Sequence, residues 1–355
     1  MRKKLQKLCL SAMMFAASTA VWALSEVGGV YQIATAEDFK AFAELVNAGN
    51  PGLNAVLTAD IDRGLDGTMI GRDGVDYQGV FEGQGHTITI NIFNDESTGT
   101  ALFRNVGGRA LIKDVKVQGT ITTNQQHAAG IAVWSRGVIR GCYVDLTIQS
   151  SFAGDATHAG IVAVAYRGTM VENCLAKFVI NGSTTQNCGG ILGWASDASN
   201  VMNCLVISDG SSFDLSNNGS NNIARNDGNI RVVEMEKYLD ETQDYRPSGA
   251  NYNNYVTNQW GTNKATTVVP FDNLADGRIC YQLNNDQSNI AWKQTLGVDP
   301  FPVPAAFGEA QVYASGATGC DGKSEGELTF SNEGTVQAEA HTYDKFGICT
   351  TGGCF

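Results

Sequence analysis

Proline is scarce in this chain, six residues in 355, and histidine scarcer at four, while glycine occurs 41 times. That balance speaks for many tight turns and against a long disordered linker. Beyond residue 24 no apolar run approaches the ~20 residues that a helix needs to span a bilayer, so no transmembrane segment is expected in the mature chain. Basic residues are the minority, 24 against 36 acidic. Four of them, Arg2, Lys3, Lys4 and Lys7, precede an apolar stretch over residues 8–24 that contains Val21-Trp22-Ala23, which suits a signal peptidase. Residues 1–23 therefore read as a secretory signal peptide. Cys9 stands at the start of the apolar stretch and not just after it, which speaks against a lipid anchor. Without these residues the chain keeps 20 basic and 36 acidic side chains, a net charge of −16, so nucleic acid and anionic membrane surfaces are not expected partners. Nucleophile-elbow, P-loop and HExxH signatures are all missing.

What is present is repetition. Gly130-Ile131, Gly160-Ile161 and Gly190-Ile191 recur every 30 residues. A second pattern follows: Ile139-Arg-Gly-Cys142, Val171-Glu-Asn-Cys174 and Val201-Met-Asn-Cys204, preceded by Ile112-Lys-Asp-Val115 and by Ile88-Thr-Ile-Asn91. Ile223, 32 residues after Ile191, marks a later turn. A period of 20 to 50 residues means a solenoid, a propeller or an array. The units carry short β-branched runs such as Val144-Asp-Leu-Thr-Ile148, which favours strands, and they are too short for a four-stranded propeller blade. The expected fold is all-β: a right-handed parallel β-helix with one coil per repeat.

Stacked coils lie ~4.8 Å apart, so a residue type recurring at one position builds a ladder. Val115, Cys142, Cys174 and Cys204 share such a position, and the valine implies that the cysteines serve as small buried hydrophobes. Neighbouring disulfides would need awkward side-chain angles. Before them stand Asp114, Gly141, Asn173 and Asn203, residues that tolerate the left-handed conformation of a sharp corner. Ahead of the coils, residues 31–49 predict an amphipathic helix: Thr35 and Asp38 as a capping box, Phe39, Phe42, Leu45 and Val46 as the apolar stripe, Gly49 as the stop. Such a helix can cover the open end of the solenoid.

The segments "YQIATAEDFKAFAELVNAGNP", "AVLTADID" and "YQGVFEGQGHTITI", with "AGI...GVIRGC" and "GGILGW...NVMNC", resemble secreted right-handed β-helix proteins with GLUG-type repeats found in Bacteroides-type bacteria. The resemblance covers residues 28–210. It implies an exported protein, secreted or at the surface of a Gram-negative bacterium, and it brings no catalytic residues with it. A later segment resembles one that often follows such coils, at Leu283-Asn284, Trp292, Gln294, Gly297, Asp299 and Pro302. The expected layout is a signal peptide (1–23), an N-terminal cap (24–56), coils (57–235), an irregular segment and C-terminal cap (236–310), and a cysteine-containing tail (311–355) that can be a truncated module.

In the tail, Cys320, His341, Cys349 and Cys354 form a Cys3His set that suits zinc, but the C-x4-C spacing is wide, and a Cys349–Cys354 disulfide competes in an exported protein. Asp60, Asp62 and Asp66 offer oxygens for calcium, though without EF-hand spacing, and read first as turn residues. No cofactor is expected. His127 and His158 read as surface neighbours at a coil edge. Trp134 and Trp194, each four residues after the coil glycine, and Tyr166 between them either form an outward aromatic strip able to hold a sugar face or fill shape at a coil corner. The expected function is noncatalytic, adhesin-like binding of polysaccharide or a host or cell-surface glycoprotein. The alternative is a polysaccharide lyase or glycoside hydrolase with a carboxylate-lined groove.

Overall fold

A computed structural model describes residues 24–94, 99–152, 156–182, 188–195, 199–208, 223–227, 230–233, 267–270, 274–284, 287–318 and 324–334. The segment expected to be a signal peptide, residues 1–23, and Cys320, His341, Cys349 and Cys354 lie outside the described residues. Within them the chain is nearly all β, a solenoid of about five turns built from parallel sheets, with two α-helices. One regular coil runs through strands Leu111–Lys113, Lys116–Thr123, His127–Ala129 and Ala132–Ser135 before Val138–Arg140 starts the next. Stacking these four positions gives a nine-, a seven-, a three- and a four-stranded sheet.

The register fixes each ladder. Phe81, Ile112, Ile139, Val171 and Val201 occupy one column of the nine-stranded sheet, all fully buried. Ile88, expected in that column, lies instead in the seven-stranded sheet opposite Val117. The reason is an insertion: four residues, 83–86, separate the two strands of the first coil where Asp114-Val115 suffices in the next. Ile223 likewise sits opposite Ser199 in the nine-stranded sheet and not above Ile191.

Asp114, Gly141, Asn173 and Asn203 adopt φ of +54°, +62°, +54° and +51°. Only glycine, asparagine and aspartate visit this region readily, because a β-carbon otherwise crowds the following carbonyl. The corner costs no hydrogen bonds. The N–H groups of Asp114, Gly141 and Asn173 donate to the carbonyls of Arg140, Glu172 and Met202 in the next coil at 3.1, 3.0 and 3.0 Å. Val115, Cys142, Cys174 and Cys204 follow, all fully buried and without disulfides. Their thiols donate back one coil, from Cys142 to the Ile112 carbonyl (3.8 Å), Cys174 to Ile139 (3.7 Å) and Cys204 to Val171 (3.7 Å). Burial pushes the Cys142 and Cys174 thiols well above their ordinary pKa, so both stay protonated and unreactive.

The repeated glycine has a different reason from the corner residues. A β-carbon on Gly160 would stand 2.3 Å from the Gly190 carbonyl oxygen and 2.6 Å from Ala176; on Gly130, 2.7 Å from the Gly160 oxygen and 2.6 Å from Val144. Close approach therefore demands glycine at the bend between the three- and four-stranded sheets. Ile131, Ile161 and Ile191 beside it fill the core.

The helix Ala36–Asn47 begins in the expected Thr35/Asp38 capping box. Phe39, Phe42, Ala43 and Val46 are buried against the coil interior, where Phe42 meets Tyr77 (6.2 Å) and Phe81 meets Phe103 (5.2 Å). Leu45, expected in the stripe, is exposed; at 3.6 residues per turn it lies about 240° around from Phe39. The strands Val30–Ile33 and Asn54–Leu57, flanking the helix, already join the nine-stranded sheet.

The later segment was expected to close the far end; its described contacts run along the flank. The second helix, Arg278–Asn284, and Trp292 bury themselves with Tyr143, Leu175 and Leu205, the outward residues that open the strands of the seven-stranded sheet. Trp292 Nε1 donates to the Asn203 carbonyl (3.2 Å), Gln287 donates to the Asn173 side chain (2.9 Å), and Phe307 meets the Tyr143 ring (5.9 Å). The Asn284 carboxamide accepts from the N–H groups of Ala291 and Trp292 and donates to the Trp292 carbonyl, and Gln294 donates to the Leu274 carbonyl (2.7 Å).

Gly160→Ala is expected to cost about 1–3 kcal/mol because backbone must yield. Cys174→Val, which copies the residue already present in the first rung, should cost less than about 1.5 kcal/mol. Urea unfolding of both variants gives the comparison, and an equal or inverse ranking would contradict the close-approach account.

Candidate functional site: an aromatic strip on the outer face

The three- and four-stranded sheets meet at the glycine bend, and outside that bend Ala129, Ala163 and Val164 form a small buried floor. Trp134, Tyr166 and Trp194 pack on it half-buried. Trp134, Val164 and Trp194 share one column, which places the two indoles two coil spacings apart, roughly 9.6 Å along the axis. Tyr166 stands outside the column, at the turn after Ala165, with its ring edge toward Trp194 at 6.4 Å and 70°. Packing and exposure thus coexist: one side of the rings covers the floor while part of each ring faces outward.

Charge borders two of the rings, Trp134 and Tyr166. The Arg104 guanidinium lies 5.4 Å from the Trp134 ring centre and that of Arg136 lies 4.4 Å from Tyr166, within the range of cation–π attraction. Asp73 pairs with Arg104 (3.3 Å), Asp76 with Arg136 (3.5 Å), and Asn105 donates to Asp76 (3.2 Å). His127 sets its ring edge against Trp134 at 5.4 Å. Sequence reasoning found the rings but not this rim, because Asp73 and Asp76 come from a loop two coils before Trp134. Arg136, two residues after Trp134, was the one signal in view.

The histidine pair separates. His127 is in register with Thr157, and His158 with Ala128, so the two rings lie on opposite faces of the sheet. His158 is fully buried, not at the surface, and its Nε2 lies 2.8 Å from Ser150 Oγ. Burial, with His127 adding to it, lowers its pKa to about 4.

The outward carboxylates Glu82 and Glu172 are paired. Glu82, Lys113, Arg140 and Glu172 share a column in which Lys113 binds Glu82 (2.8 Å) and Arg140 binds Glu172. Asp60 accepts from the Thr87 N–H (2.9 Å), which lowers its pKa, and faces His86. Asp66 has φ of +50° and binds Lys40 at 2.5 Å. Both behave as turn residues with separate partners. Among the described residues no three metal-ligating side chains cluster.

No family model and no curated protein sequence matches the chain. A solved structure described as a "putative immunoglobulin A1 protease from Bacteroides ovatus" is similar at 17% identity and a TM-score of 0.48, over 78% of this chain and 92% of that one. At this level the likeness carries no functional argument.

His158 makes stability depend on pH. The unfolded chain takes up its proton below pH 6.5, the folded chain only near 4, so stability is intact above 6.5 and falls as pH drops from 6.5 to 4, by about 3 kcal/mol in all. Urea midpoints at pH 7 and 4.5 should separate in the native protein and draw together in His158→Gln.

Proposed function

We propose that this protein is an exported, noncatalytic β-solenoid that holds polysaccharide or cell-surface glycoconjugate chains on the Trp134/Tyr166/Trp194 strip. One observation carries the reading: two indoles in a single column, two coils apart, on an apolar floor. Flat rings hold the C–H face of a pyranose, and their spacing of roughly 9.6 Å is close to the advance of two linked sugar rings. Arg104, Arg136 and the aspartates with them supply hydrogen bonds to hydroxyl or acidic groups at the rim. The net negative charge of the chain and its apolar N-terminus are consistent with display outside the cell.

A lyase or hydrolase is the second reading, favoured by Asp73 and Asp76 beside the strip. Against it, each carboxylate faces an arginine, whereas glycoside hydrolysis needs two carboxyls across the scissile bond.

Affinity electrophoresis of the mature protein through gels containing single polysaccharides should show retardation on at least one of them. Trp134→Ala with Trp194→Ala should weaken it roughly tenfold or more with circular dichroism unchanged. Retention indifferent to the double substitution would remove the strip from the account. Chain shortening abolished by Asp73→Asn or Asp76→Asn would establish the enzyme instead.

A further inference from the structure

The outer face of the seven-stranded sheet carries a second, separate row. Phe93, Thr122, Gln149 and Asn181 are in register on four consecutive coils. Phe93 is 72% exposed, the most exposed aromatic side chain among the described large hydrophobics. The row borders a concavity of about 340 Å³ that Thr123, Asn124, Ser150 and Ser151 complete. Among the described residues every lining group is a hydroxyl, a carboxamide or the one phenyl ring, and none is charged. Two floor hydroxyls are already fixed: Ser150 Oγ lies against His158 Nε2 (2.8 Å), and Thr123 Oγ1 accepts from the Gln125 N–H (2.9 Å). The rim amide of Gln149 projects from a strand paired on both sides, and that of Asn181 from the strand paired with it.

We propose that this row is a binding subsite for an extended, uncharged oligosaccharide lying along the solenoid axis, distinct from the tryptophan strip. A phenyl ring stacks on the apolar face of a sugar, and carboxamides both donate and accept, matching hydroxyls that do the same. Coil spacing of ~4.8 Å advances one binding side chain for about each pyranose unit, and three steps from Phe93 to Asn181 span roughly 14 Å. A lining without cations offers nothing to phosphate or uronate, and the acidic chain repels both. Phosphorylated ligands and acidic glycans are thereby excluded from this row.

The test is calorimetric titration of the mature protein with cellohexaose, mannohexaose and xylohexaose, with hexagalacturonate as the charged control. At least one neutral hexamer should bind, and hexagalacturonate should not bind at this row. Phe93→Ala should weaken binding roughly tenfold and Gln149→Ala severalfold; both side chains are exposed, so folding is spared. The Trp134→Ala/Trp194→Ala variant should keep this binding, so loss of the tryptophan strip and loss of the phenylalanine row are told apart. Absence of binding by all three neutral hexamers, binding untouched by Phe93→Ala, or a hexagalacturonate signal lost in Phe93→Ala would each overturn the proposal.

Discussion

The solenoid depends on one left-handed residue per coil. Asp114, Gly141, Asn173 and Asn203 turn the chain between two strands while the N–H groups of the first three reach the next coil, so the parallel ladder passes the corner almost without a break. If the corner used a right-handed residue, the strand after it would leave its sheet and the buried polar groups behind it would lose their partners. The cysteine ladder follows from the same geometry. Immediately after the corner the interior has room for a small apolar side chain, and the thiol adds a weak donor for the carbonyl one coil below.

Much of this was legible because it is local. Corner and thiol are adjacent in every coil and the bend glycine recurs every 30 residues, so aligning three repeats reveals all of them, and the capping box announces its helix from residues three apart. Failures began where the period broke. The insertion at residues 83–86 moved Ile88 into another sheet and left Phe81 in its place, and no periodicity shows that. Leu45 and His158 were misplaced for a related reason: a residue's face depends on phase, and a small phase error turns a side chain from inside to outside. The docking of Trp292 on Asn203 joins residues 89 apart in sequence and leaves no pattern in either. For the strip, the rings could be read and their partners could not, since Arg104, Asp73 and Asp76 reach it from other coils.

Interior columns constrain one set of positions and leave the outward set open to chemistry. On the four-stranded sheet that freedom produced an aromatic strip with the Arg104–Asp73 and Arg136–Asp76 pairs against Trp134 and Tyr166; on the seven-stranded sheet it produced a neutral row ending in Phe93. Between that row and the flank segment lie the Asp145–Lys177 pair and Gln118 bonded to Thr89, which give the sheet a graded outer surface from apolar to charged to neutral polar.

The flank segment also bears on how the molecule meets force. A stack of parallel coils pulled from its last coil peels open, one rung of hydrogen bonds breaking at a time. Here residues 278–307 touch the coils at Gly85, Tyr143, Asn173 and Asn203. Tension arriving from the C-terminal side is therefore divided among contacts on several coils and drags the segment sideways along the solenoid. Shear of that kind must break many contacts together, so the flank segment lets the stack resist peeling from its last coil.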